Sequence, residues 1–100
     1  MEAKLQLSEA QKNKIISILR RHGIKKILVF GSYARNEATP NSDLDLIVKF
    51  PKGISLLDHV GIELELAEAL DMKIDLLSQN GISPYMKDQI LREAAVILDD

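Results

Sequence analysis

Asp43 and Asp45 stand two residues apart, ten residues beyond the dipeptide Gly31-Ser32. Gly31 follows directly on the apolar run Lys25-Lys26-Ile27-Leu28-Val29-Phe30, and Asp45 lies within a second such run. Side chains alternate faces along a strand, so Asp43 and Asp45 point one way and Leu44 and Leu46 the other. Asp75, between Ile74 and Leu76, repeats the pattern in a third run. If these last two strands are neighbours, three carboxylates converge. Two carboxylates about 4 Å apart repel by roughly 4 kcal/mol at an effective dielectric near 20, so the cluster calls for cations. Oxygen ligands with open positions suit Mg²⁺ or Mn²⁺, with water and phosphate completing the octahedron. Two such ions stabilise both the attacking and the leaving oxygen of an in-line displacement.

The Gly-Ser turn supplies a place for phosphates. Gly31 has no Cβ and lets backbone approach closely. N–H groups at the start of a short helix favour an anion. The Ser32 hydroxyl adds a donor, and Arg35 offers its guanidinium fork to a phosphate or an acidic side chain. The arrangement fits a nucleoside triphosphate with magnesium, and so nucleotidyl transfer. Taken singly, Asp43 reads as a turn residue after Ser42 and Asp75 as a solvent-facing strand residue. Together they read otherwise, because aspartate is depleted in strands and both Asp45 and Asp75 fall mid-strand. No Gly-Lys-Ser/Thr follows a glycine-rich turn, which excludes a Walker A loop. Carboxylates on one face do not flank a glycosidic bond. His22 and His59 have no partner at ligand spacing. They read as a helix C-terminal residue and a surface or internally satisfied helix residue.

The elements that position these residues alternate. Ser8-Glu9-Ala10-Gln11 is a capping box opening a helix that Gly23 ends. Residues 25–30 are a strand and 32–37 a short helix. A second strand runs from Leu44 to Phe50, and a helix over 55–70 follows. Leu57, Val60, Leu64, Ala67 and Leu70 give that helix an apolar arc. Glu63 intrudes on the arc and Gly61 interrupts it, which predicts a bend or a partly exposed second half. Lys73–Leu77 is the third strand. Ser83-Pro84 opens a last helix predicted to reach Leu98. The order αβαβαβα predicts an α/β fold, helices on a small mixed three-stranded sheet whose edges need cover. Met86, Ile90, Leu91 and the run Ala94–Leu98 cover a wider arc than one core stripe needs, leaving surface for a partner, for self-association or for burial against the sheet.

One hundred residues predict one domain, residues 1–100. Cysteine is absent, which excludes disulfides, thiolate zinc sites and cysteine nucleophiles and favours a cytoplasmic setting. No run is long enough for a membrane span, and Met1-Glu2-Ala3-Lys4 lacks a leader pattern. Net charge is −2. Residues 1–37 hold 8 Lys/Arg against 3 Asp/Glu, and residues 38–100 hold 5 against 12. The acidic balance around the carboxylates, without an aromatic platform for bases, disfavours a nucleic-acid acceptor.

The segments Leu28–Arg35, Ser42–Leu46 and Lys73–Leu77 resemble the minimal nucleotidyltransferases of the DNA polymerase β superfamily. The resemblance spans nearly the whole chain. Many members of that branch are antitoxins encoded beside a HEPN-domain ribonuclease toxin. It implies a hetero-oligomeric partner of that kind and transfer of AMP from ATP to a tyrosine hydroxyl of the toxin. It also implies that Gly31 and Ser32 hold the triphosphate and that Asp43 and Asp45 bind both Mg²⁺ ions. Asp75 would bind one ion and help deprotonate the attacking hydroxyl. Asn36 stands where the family usually has glycine, and asparagine tolerates the left-handed backbone. A non-catalytic antitoxin acting by contact, and a transferase acting on RNA or a small-molecule hydroxyl, are the alternatives.

Overall fold

A computed structural model describes residues 5–100, and Met1–Lys4, the segment without a leader pattern, lies outside it. The first helix, α1 (Glu9–Arg21), begins at the expected capping box. Ser8 accepts from the Gln11 N–H, and the Gln11 side chain accepts from the Ser8 N–H. Strands β1 (Lys26–Phe30) and β2 (Leu44–Val48) follow, joined through a 3₁₀ turn at Gly31–Tyr33. That turn replaces the helix expected over 32–37. Helix α2 (Leu56–Leu70), strand β3 (Ile74–Ser78), helix α3 (Pro84–Glu93) and strand β4 (Ala95–Asp99) complete the fold. No described helix is long and apolar enough to cross a membrane.

The sheet is mixed and has four strands in the order β3-β2-β1-β4. β2 and β3 are parallel, and β1 is antiparallel to both β2 and β4. The α/β architecture is the expected one, but the expectation of three strands is corrected, as is the reach of the last helix. Ala94 turns to extended backbone with ψ 146°, and Ala95–Asp99 pairs along β1. The free edge of β1 thus receives the chain's own end. The run Ala94–Leu98 is therefore not surplus helix surface, because Leu98 is buried in the core.

One face of the sheet carries the main core. Val29, Leu44, Leu46, Val48 and Leu76 pack there against Ile15 and Leu19 of α1 and Ile62 and Leu66 of α2. The other face is covered only in part, where Ile90 of α3 meets Leu28 and Ile47. α2 is one helix, buried through Ile62 and Leu66, and of the predicted arc Leu70 packs against the same core. Leu57 and Leu64 are 84% and 63% exposed.

The reason lies at the edge strand β3. The Leu76 N–H donates to Glu63 at 2.8 Å, and the His59 Nε2 lies 2.6 Å from the Leu76 carbonyl, to which it donates. His59 and Glu63, one turn apart, thereby pair both backbone groups of a residue on the open edge. An edge left bare would be a template for unwanted pairing. His59 also lies against Phe50, ring centroids 4.8 Å apart. His22 sits at the C-cap of α1 and bonds Glu65 at 2.9 Å, in keeping with the two histidine readings.

Candidate active site

The carboxylates meet where the parallel strands begin. Asp45 and Asp75 are register partners across β2 and β3. Adjacent strands lie about 4.8 Å apart, so the two side chains are direct neighbours on one face. Asp43 precedes β2 and is exposed, as is Asp75, while Asp45 is half-buried. The ladder is extended at this end, because the Leu44 N–H donates to the Lys73 carbonyl at 2.9 Å. Before it, Thr39 and Ser42 close a turn, with the Ser42 N–H donating to the Thr39 carbonyl at 2.9 Å. That turn aims Asp43 at the same end of the sheet.

Gly31 adjoins Asp45 from the end of β1. Its φ is +78°, and a Cβ placed there would come 2.5 Å from Asp45 Oδ2. Only glycine satisfies both the left-handed backbone and that contact. The following turn is fixed by Ala34 and Arg35 N–H groups donating to the Gly31 carbonyl, and by Glu37 N–H donating to the Ser32 carbonyl at 2.8 Å. Asn36 has φ 58°, so asparagine fills a left-handed backbone position in this turn. Arg35 reaches Glu37 at 3.3 Å and Glu93 of α3 at 3.6 Å. Ser32 is half-buried in the turn.

Burial, then the charges of Asp75 and Asp43, push the Asp45 carboxyl above its ordinary value, and Arg35 opposes them. The three aspartates and the arginine thus share one field. Among the described residues no group of three or more His, Cys, Asp or Glu side chains is arranged to hold a metal ion on its own. An open set of carboxylates is nevertheless what Mg²⁺ requires when phosphates supply its other ligands. The raised Asp45 marks a site where positive charge would be welcome.

A cleft of about 510 Å³ opens beside Asp43, lined by Tyr33, Pro40, Asn41, Ser42, Asp71, Met72 and Lys73. Another, of about 480 Å³, lies at the opposite end of the sheet among Lys25, Lys26, Lys49 and Gln79, away from the carboxylates. Structure therefore brings Gly31, Asp43, Asp45 and Asp75 together, with Arg35 close enough to influence Asp45. Sequence reasoning missed three contributors. Gln6 clamps the turn segment, donating to the Ala38 carbonyl at 2.9 Å and accepting from its N–H at 2.7 Å. Glu93 anchors Arg35, and Lys73 brings a cation to the cleft. Only Lys73, two residues before Asp75, carried any signal in the sequence.

A family model described as polymerase beta, nucleotidyltransferase matches residues 13–100. A Methanocaldococcus jannaschii protein provisionally named a protein adenylyltransferase is 51% identical over 87 residues, covering 87% of this chain and 94% of the relative. The protein adenylyltransferase MntA of Thermococcus cleftensis is 35% identical over 77 residues, covering 77% of this chain and 78% of the relative. A solved structure provisionally described as a minimal nucleotidyltransferase superposes with TM-score 0.78 at 43% identity, covering 86% of this chain and 88% of that one. A crystal structure of a toxin–antitoxin with AMP-PNP superposes with TM-score 0.80 at 27% identity, covering 89% of this chain and 73% of that one. The agreement of fold, site and relatives has one reading: the chain belongs to the polymerase β nucleotidyltransferase family.

Proposed function

We propose that the protein is an antitoxin-type adenylyltransferase that moves AMP from ATP onto a hydroxyl, that of a tyrosine, on a partner HEPN ribonuclease toxin. The observation that carries this reading is the in-register pair Asp45 and Asp75 beside Gly31, with Asp43 at the mouth of the same strand. Relatives named as protein adenylyltransferases, and similar folds in toxin–antitoxin complexes, support the acceptor class.

Asp43, Asp45 and Asp75 are the residues that would hold two Mg²⁺ ions. Bound there, the ions would supply charge neutralisation for the triphosphate and the developing oxyanions. Gly31 and Ser32 present the turn to the triphosphate, and Arg35 sits within reach of the same field. The partner's hydroxyl oxygen forms a bond to the α-phosphorus as the bond to the bridging oxygen of pyrophosphate breaks. Asp75, exposed on the edge strand, accepts the hydroxyl proton. Positioning and charge account for most of such catalysis, so a small domain suffices.

Label transfer tests this. The protein is incubated with Mg²⁺, the product of the neighbouring gene and ATP labelled at the α-phosphate, with γ-labelled ATP in parallel. Label on the toxin from the α-position only, lost with Asp45→Ala, is expected. Full labelling by Asp45→Ala would defeat the assignment of the site. Inhibition of the toxin without label would defeat the enzymatic reading in favour of neutralisation by contact.

A further inference from the structure

On the second face of the sheet, side chains line up in rows across the strands. Asp75, Asp45 and Phe30 are neighbours in register at one end, and Leu77, Ile47, Leu28 and Val96 form the middle row. At the other end the β1–β2 ladder runs on past Ile27 and Val48, with the Lys49 N–H donating to the Lys26 carbonyl at 3.4 Å. Side chains alternate, so Lys26 and Lys49 share the face of Leu28 and Ile47. Asp99 pairs with Lys26 on one side, and Gln79 follows the Val48–Ser78 pair on the other. We propose that this basic end of the sheet is a second binding site, which takes a small phosphate ester bearing hydroxyl groups, with the phosphate on Lys26 and Lys49 and a hydroxyl on Gln79.

Like charges directly opposite each other on neighbouring strands are destabilising. Among the described residues neither Lys26 nor Lys49 makes an ion pair. Asp99 makes none with Lys26 despite their register, and Asp100 is held by Arg20 at 3.0 Å. Lys25 adds its charge to the same cleft, whose volume is about 480 Å³. A pocket of that size suits a small ligand. Ammonium groups bind phosphate as compact point charges. A phosphate between the two lysines would turn their mutual repulsion into shared attraction.

Gln79 is the independent observation. It lines the cleft, yet its Oε1 is buried without a hydrogen-bond partner among the described residues. An amide oxygen only accepts, so a buried one calls for an O–H or N–H donor. The lysines want an anion and Gln79 wants a donor, and a phosphorylated sugar carries both. Asp99, on the same wall, can accept from a further hydroxyl. This end is separate from the carboxylates. At roughly 3.3 Å per residue, Lys49 and Asp45 stand about 13 Å apart along the strand. Ile90 of α3 covers Leu28 and Ile47 in the row between them.

Amide chemical shifts of the isotope-labelled full chain, recorded in EDTA so that no metal loads the carboxylates, test the site independently of the proposed catalysis. The probes are ribose phosphate, inorganic phosphate and oligouridylate. Ribose phosphate is expected to shift Lys26, Lys49 and Gln79 but not Gly31 or Asp45, and to bind severalfold more tightly than inorganic phosphate. Lys26→Gln combined with Lys49→Gln should weaken it by about tenfold or more. Gln79→Leu should reduce its affinity to that of inorganic phosphate. Both variants lie outside the candidate active site and should keep label transfer. No shifts at millimolar ribose phosphate, or shifts centred on Gly31 and Asp45, would overturn the proposal. So would undiminished binding by the double-lysine variant, or a Gln79→Leu protein that still prefers the ester. Tighter binding of oligouridylate with a steep salt dependence would also overturn it, giving this end of the sheet to nucleic acid.

Discussion

Asp45→Asn should make the metal-free protein more stable while abolishing its transfer activity. Asp45 and Asp75 are register partners, and Asp43 adds a third charge. Two charges about 5 Å apart repel by about 0.8 kcal/mol in bulk water and about 3 kcal/mol at a dielectric near 20. Asp43 and Asp75 are exposed, and the lost attraction to Arg35 offsets part of the gain, so the lower figure applies, about 1 kcal/mol. For a chain of this size that is a rise in Tm of about 4–8 °C. The pH dependence has a definite sign. The folded Asp45 carboxyl is raised above its ordinary value of 3.8, so its charged form is disfavoured by folding. The penalty is absent below the unfolded value and complete above the folded one. The Tm advantage of Asp45→Asn should therefore vanish in acid and grow as pH rises through that window. Mg²⁺ with a non-hydrolysable ATP analogue should reverse the order. Ligand at a hundred times its Kd stabilises the wild type by about 2.7 kcal/mol, and the variant gains little. Thermal melts with and without Mg²⁺ and analogue measure all three. A variant that melts lower than wild type in EDTA at neutral pH would refute the repulsion argument.

Gly31→Ala forces a Cβ to within 2.5 Å of Asp45 Oδ2 at a φ of +78°. It should cost about 1–3 kcal/mol and lose transfer activity, read by melting and label transfer. Glu63→Ala strips the Leu76 N–H of its partner and His59→Ala strips the carbonyl. Each should cost about 1–3 kcal/mol, and light scattering should show association through the bared β3 edge, most strongly in the double variant. Glu65, held below its ordinary value by hydrogen bonding from His22 and then by Arg21, stabilises the fold above the unfolded value. That contribution is lost as pH falls through the folded one, so Glu65→Gln should narrow the pH dependence of Tm on the acid side, modestly because the pair is exposed.

The placement of the candidate site's aspartates was legible in the sequence because it is local to strands. Alternation along Asp43-Leu44-Asp45-Leu46 and Ile74-Asp75-Leu76 assigns each aspartate a face without knowledge of the fold. The parallel pairing of β2 with β3 then brings Asp45 beside Asp75. Asn36 was legible as a departure, and its φ of 58° shows how the turn tolerates it. The fourth strand was not legible. Ala94–Leu98 is a short apolar run following a helix, and such a run suits either state by periodicity alone. The edge of β1 decides between them, and that edge is distant in sequence. The orientation of α2 escaped for a similar reason. It has two apolar arcs, and Leu57, Val60 and Leu64 face solvent while Ile62, Leu66 and Leu70 face the core. His59 and Glu63 turn the second arc inward because both reach the backbone of Leu76. The acidic residue that intrudes on the predicted arc and the histidine one turn before it both bond that edge strand.

The division of the sheet into two unequal faces explains how so small a chain tolerates a repulsive site. α1 and α2 close one face around Ile15, Leu19, Leu46 and Leu66, each without measurable exposure. Burial on that side, at about 25 cal/mol per Å² of apolar surface, provides the main driving force for folding. The second face is held by α3 through Ile90, which meets Leu28 and Ile47, with Phe30, Ile82 and Ala94 beside them. Asp45 shares that face with Ile47 two residues along β2, and Asp75 shares it with Leu77 on β3. The carboxylates thus stand on that face at the end of the sheet where the parallel strands begin. Covering them with a longer helix would bury more apolar surface and close the site. The early end of the helix at Glu93, with that residue reaching back to Arg35, keeps the face open at the carboxylates. The same turn of chain into β4 seals the edge of β1. One short segment therefore both completes the sheet and leaves its acidic corner free.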